Sequence, residues 1–164
     1  MAVSIELNQA QLGNAEAGLA RLATLVADLT PMMDSIGALL VSNTQERFMT
    51  GIAPDGEKWK PSQRAIDEDG QTLLDSGQLR ASIAHKASRD QVEVGTNKIY
   101  AAVHQLGATI RAKNVPFLRF KVGDRWVSKP SVTIGARPFL GFNATDRKDV
   151  EALVVEELEK RNAS

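Results

Sequence analysis

The chain has 164 residues, 43% of them apolar, with 20 basic and 20 acidic side chains and no cysteine. That length favours a single domain, 1–164, able to bury a core without disulfides or metal. The missing cysteines exclude a disulfide framework, a thiolate zinc site and a cysteine nucleophile, and zero net charge leaves no global field to draw the chain onto nucleic acid or an anionic membrane.

Val3, Ile5 and Leu7 alternate with polar residues and predict a short strand. Glu6 and the lack of a basic run argue against a secretory signal there. No apolar run approaches the roughly 20 residues of a membrane helix, so a soluble product made in the cytoplasm is expected. Leu12, Ala15, Leu19, Leu22, Val26 and Leu29 recur at three and four residues, one face of a helix over about 9–29. Pro31 stops it and opens a second helix, 31–50, with Thr30 as its cap. Met33, Ile36, Leu40 and Phe48 should form the buried stripe, and Gly51 suits the left-handed position beyond the C-terminus. Gly37 inside this helix costs about 1 kcal/mol against alanine, which a close approach by another element would explain.

From Gly51 to Gly77 glycine and proline punctuate a polar, acidic stretch. It reads as a long loop with one turn of helix, and a loop of that length in a compact domain usually has a task; an inter-subunit arm is the role expected. Pro54-Asp55-Gly56 predicts a tight turn that places Trp59. A helical turn is expected within 76–83, capped by Asp75 or Ser76, and then short strands at 83–87 and 91–95. Residues 99–106 are apolar and fit a strand or a helix, with Ala101, Ala102 and Gln105 favouring a helical turn, and Gly107 ends the segment. Strands are expected at 109–112, 117–122, 125–127 and 132–134, the middle pair joined by a Gly123-Asp124 hairpin. Arg137 to Phe142 forms a compact turn. A last helix is capped by Thr145 or Asp146, with Val150, Leu153, Val154 and Leu158 on its inner face. The sum is an α+β fold: two N-terminal helices and a C-terminal helix packed on a small antiparallel sheet, with a long loop.

Charge is unevenly spread. Residues 95–140 hold eight basic side chains against Asp124 alone, while every other stretch is net acidic. The basic stretch is either a solvated sheet face or a surface for an acidic partner or a DNA channel. Phe117, Phe120 and Trp126 among Arg119, Lys121 and Arg125 fit a sheet with aromatics inward and basics outward.

Catalytic signatures are sparse. His85 and His104 are the two histidines, and no ligand pair has helical metal spacing. Asp67-Glu68-Asp69-Gly70 lacks the alternating ligands and closing glutamate of a calcium loop. Phosphate-loop, dinucleotide and nucleophile-elbow motifs are absent. Ser76, His104 and a carboxylate are the remaining components for a hydrolase, with nothing in the sequence to bring them together. No enzyme activity, cofactor or metal is expected.

Four phrases stand out: Arg47-Phe48 with Ala53-Pro54-Asp55-Gly56-Glu57-Lys58-Trp59; Leu73-Leu74-Asp75-Ser76-Gly77-Gln78-Leu79-Arg80-Ala81-Ser82-Ile83; Val92-Glu93-Val94-Gly95-Thr96 with Tyr100-Ala101-Ala102-Val103-His104-Gln105-Leu106-Gly107-Ala108; and Ala136-Arg137-Pro138-Phe139-Leu140-Gly141 with Asp146 soon after. In this order they resemble the phage virion morphogenesis (tail-completion) family of Mu-like phages, over roughly two thirds of the chain. The resemblance implies a structural virion protein acting in tail completion or head–tail joining. It also implies a homo-oligomeric ring, commonly sixfold, that contacts tail and neck or connector proteins and reaches the virion from the host cytoplasm. A DNA-channel lining by the basic 95–140 region is the alternative. Trp59, Arg80, Tyr100, His104, Gln105, Arg137 and Phe139 are the expected interface or packing residues. Tyr100 and His104 would share a helix face and fasten it to the Arg137-Pro138-Phe139 corner, with Arg137 meeting an acidic neighbour.

Overall fold

The computed structural model describes residues 28–122 and 125–162. The strand expected at 1–7, the helix expected over 9–29 and the Gly123-Asp124 turn lie outside the described residues. The described elements form an α+β fold, as their order in the sequence predicts.

Helix α1 runs from Thr30 to Thr50. Its first turn is held by the Thr30 amide donating to Asp28 Oδ1 at 2.9 Å, and Leu29 rather than Thr30 sits at the cap. Gly51 closes it in the left-handed region, φ 69°, its amide donating to Arg47 O at 2.8 Å. Met32, four residues before Ile36, is buried where Met33 was expected, and Met33 and Leu40 are half-buried. Ile36 and Phe48 are buried as predicted, with Gly37, Thr44 and Arg47 beside them.

Residues 51–77 hug the body. An Ile52–Lys58 bridge flanks the Pro54-Asp55-Gly56 turn, in which Gly56 N donates to Ala53 O at 2.9 Å. The turn delivers Trp59 to the core, 7% exposed. Helix α2 (Gln63–Asp67) is capped by Ser62 Oγ, which accepts from Ala65 N. Helix α3 (Gln78–Ala81) is preceded by Gly77 at φ 74°, so glycine, not Asp75 or Ser76, makes the entry.

Strands β1 (Ile83–Ala87) and β2 (Val92–Thr96) pair antiparallel, Ile83 opposite Thr96 and Ala87 opposite Val92. This hairpin packs on α1 at Gly37, where a Cβ would lie 2.6 Å from His85 Cγ and 2.9 Å from Val92 Cγ2. The close approach expected of that glycine is therefore to a hairpin. Helix α4 (Ala101–Leu106) ends at Gly107, φ 73°.

The strands do not merge into one sheet; they form three antiparallel pairs. Beyond β1–β2, strand β3 (Ala108–Arg111) pairs with β6 (Ser131–Ile134), and between them β4 (Leu118–Val122) pairs with β5 (Arg125–Lys129). The two pairs are stacked end to end, linked by Ala112 N donating to Pro130 O at 3.0 Å. Six residues separate Arg111 from Leu118 on the way out and Pro130 alone separates Lys129 from Ser131 on the way back. Residues 108–134 are thus a two-stranded arm with an irregular segment at 113–117, packed chiefly against itself.

Helix α5 (Ala144–Asn162) begins with a reciprocal cap. Asn143 Oδ1 accepts from Asp146 N at 2.8 Å, and Asp146 Oδ2 accepts from Asn143 N at 2.9 Å. Asn143 is therefore the cap, and Asp146 its partner inside the first turn. Val150, Leu153, Val154 and Leu158 are half-buried on the inner side. The core gathers Phe48, Ala53, Trp59, Leu79, Ile83, Ala101 and Phe139. Phe48 stands edge-on to Trp59 at 5.6 Å and tilted to Phe139 at 5.2 Å, geometries worth about 0.5–1.5 kcal/mol each beyond their burial.

Candidate functional site

The residues singled out in the sequence converge on one corner, 135–141. Its backbone is irregular, so its carbonyls and amides need partners that no strand supplies. Side chains from four elements provide them. Arg137, 9% exposed, donates from Nε to Lys60 O at 2.8 Å, from Nη1 to Gly135 O at 3.2 Å and from Nη2 to Pro61 O at 3.4 Å. It serves as a hub for carbonyls, where the sequence predicts an acidic neighbour. Trp59 Nε1 donates to Pro138 O at 2.8 Å. Gln105 Oε1 accepts from the amides of Phe139 and Leu140, both at 3.0 Å, while its Nε2 donates to Leu140 O at 2.9 Å. Phe139 itself is fully buried.

The strongest tie is one the sequence does not announce as a pair. Arg47 Nη2 meets Asp146 Oδ2 at 2.5 Å, and Arg47 Nη1 donates to Phe139 O and Gly141 O, each at 3.0 Å. Asn43 Nδ2 donates to Asp146 Oδ1 at 3.1 Å and to Asp149 Oδ2 at 2.9 Å. Asn43 and Arg47 are one turn apart on α1, so one helix face clamps both the corner and the start of α5. The available signals were the polar positions at that spacing and an aspartate at the head of the last helix.

Tyr100 and His104 share a face of α4, edge-on at 6.2 Å. His104 fastens the corner through its backbone, its carbonyl accepting from Arg137 N at 2.7 Å. Its Nδ1 is buried without a hydrogen-bond partner. Burial, and secondarily the positive Arg137, lower its pKa. Ser76, Asp75, Tyr100, His104, Arg137 and Arg64 line one depression, so the fold does bring Ser76 and His104 to a common site. A nucleophile–base relay needs a carboxylate on the far imidazole nitrogen to orient it, and His104 Nδ1 holds none. Arg80 lies apart, half-buried on α3, its Nη1 against Met49 Sδ. Among the described residues no group of three or more His, Cys, Asp or Glu could hold a metal ion, and no helix there is long and apolar enough to cross a membrane.

The basic stretch divides. Arg137 is drawn into the corner, whereas Arg111, Lys113, Arg119, Lys121, Arg125 and Lys129 ride on the arm. Pairing places Leu118, Phe120, Val122, Val127, Arg125 and Lys129 on one side of the β4–β5 ribbon, and Arg119, Lys121, Trp126 and Ser128 on the other. Phe117, 53% exposed, and Trp126, 64% exposed, thus depart from the expected aromatics-in pattern, and basic residues lie on both sides of the ribbon; Trp126 shares its side with Arg119, whose Cζ lies 5.1 Å above its ring.

These side chains fasten segments of the chain to one another around a buried polar corner. The sequence model of the phage virion morphogenesis family matches residues 10–159, and the chain belongs to that family, which is associated with the virion. It is 33% identical over 148 residues to the "Mu-like prophage FluMu G protein 2" of Haemophilus influenzae, covering 90% of each chain. It is 27% identical over 159 residues to the "Putative capsid assembly protein G" of Escherichia phage Mu, covering 92% of this chain and 88% of the relative. No solved structure matches the chain.

Proposed function

We propose that the chain is a non-enzymatic ring subunit, commonly one of six, that completes the phage tail or joins it to the head. In this role it contacts neighbouring tail and neck or connector proteins, after synthesis in the host cytoplasm. Family membership supports a structural role, and the observation that carries the subunit reading is the arm at 108–134. It projects exposed aromatic and basic residues from a body held together by its buried corner. The role of contacting neighbours, expected of residues 51–77, passes largely to this arm, because Trp59, Lys60 and Pro61 tie that segment to its own corner. Native mass spectrometry of the purified chain and electron microscopy of particles made without it test the reading. Closed oligomers, and unjoined heads and tails in its absence, are expected; a strict monomer together with normal particles overturns it.

The Arg119–Trp126 stack favours a second reading, in which the arm touches DNA passing through the ring. Duplex DNA retention that falls steeply with salt supports it, and no retention at low salt removes it.

A further inference from the structure

The arm from Ala108 to Ile134 carries six basic side chains and one acidic, net +5. The whole chain is neutral, so everything outside the arm sums to net −5. A positive arm on a negative body attracts the body of another copy and repels another arm. The arm's apolar surface is also uncovered: Trp126 is 64% exposed, Val115 58% and Phe117 53%. A lone two-stranded ribbon is marginal in water, and tryptophan and arginine are the side chains that most often dominate binding at protein interfaces.

The body offers a matching seat. On the outer side of α5, Lys148, Glu151, Ala152, Val155, Glu156 and Glu159 line a shallow depression. Its centre is apolar, with Val155 54% exposed; Glu156 is paired with Lys160 at 2.7 Å, and Glu151 and Glu159 make the acidic rim beside Lys148. The acidic residues of 51–77 offer a poorer seat, being engaged locally. Asp55 Oδ1 accepts from Glu57 N, Asp67 Oδ1 from Gln63 Nε2, and Glu68 and Asp75 lie against Arg64.

We propose that the Trp126 side of the arm seats on the Ala152–Val155 stripe of a second copy of this chain, with Arg119, on the same side of the ribbon as Trp126, meeting the rim formed by Glu151 and Glu159. The proposal rests on the ring-subunit reading and adds its contact surface. Arm and seat are different patches, so the contact is heterologous: it passes from copy to copy and closes into a ring where the rotation allows.

Charge reversal on the full chain tests it. The arm variant R119E and the seat variant E151K/E159K should each raise the concentration needed for oligomers at least tenfold, as read by native mass spectrometry. The chain carrying all three changes should recover assembly. Loss without recovery would otherwise be open to a folding explanation, so a second measurement uses the absence of native cysteines. Mixed W126C and V155C chains, differently tagged, should form an inter-chain disulfide under mild oxidation, and V127C, on the opposite side of the ribbon, should not pair with V155C. Oligomers that persist in both charge variants without the W126C–V155C link overturn the arm contact and leave the ring reading standing. A wild-type chain that stays monomeric at every concentration overturns both. Intact oligomers whose arm variant loses duplex DNA retention reassign the arm to nucleic acid.

Discussion

The guanidinium of Arg47 lies 2.5 Å from the carboxylate of Asp146, 99 positions further along the chain, and both side chains are buried. Arg47 stands near the end of α1 and Asp146 in the first turn of α5, so this one contact sets how the last helix leaves the body. Breaking a buried pair strands the remaining charge and costs about 3–5 kcal/mol. Arg47→Met should therefore lower urea-unfolding stability by about that amount, and Arg47→Met with Asp146→Leu should recover part of it. If the single variant unfolds like the wild type, the contact does not hold α5.

Gly37 sits where α1 meets β1 and β2. Alanine would ordinarily favour a helix interior by about 1 kcal/mol, but the Cβ would press on the His85 ring and Val92. Overpacking of this kind costs about 1–3 kcal/mol. Gly37→Ala should lower the thermal midpoint, whereas propensity alone would raise it, so the sign of the change decides which effect governs.

His104 supplies a pH dependence. Burial and Arg137 lower its pKa below the ordinary histidine value, so the unfolded chain takes up a proton more readily than the folded one. Its contribution to stability is then fully present above the unfolded pKa of about 6.5 and is lost as pH falls through the lowered folded value. Thermal melts between pH 5 and pH 7.5 should show stability declining toward acid, and His104→Gln should flatten that slope. An unchanged slope assigns the decline to other groups.

Ala108 and Ile134 pair directly, so both ends of the arm leave the body at one place. Replacing residues 109–133 by a short glycine-containing turn should leave the unfolding midpoint of the body within a few degrees of wild type while abolishing assembly. A large loss of stability would mean that the arm belongs to the core.

The elements with strong local chemistry were legible. The Pro31 start and Gly51 stop of α1, the hairpin alternation around 118–129 and the dipole-matched last helix all act within a few residues. Packing was legible only in part. Met32 and Met33, at four and three residues from Ile36, both fit the stripe by spacing, and packing selected Met32. The corner residues Trp59, Gln105, Arg137 and Phe139 were found through their ordered phrases, but their roles depend on carbonyls that no side-chain pattern announces. Arg47 and Asp146 were visible as charges and not as a pair, since their separation in sequence carries no periodicity. Alternation showed which residues share a side of the ribbon; it could not show that Trp126 would lie on the open one.

The shared stem of the arm has a consequence for length. Adding two residues to each strand extends the ribbon by about 6.6 Å and keeps every side chain on its side, while adding a single residue turns the outward side chains beyond it inward. Descendants of this chain can therefore adjust how far they reach in paired steps, like marks on a ruler, and fit neighbours of different girth around one unaltered core.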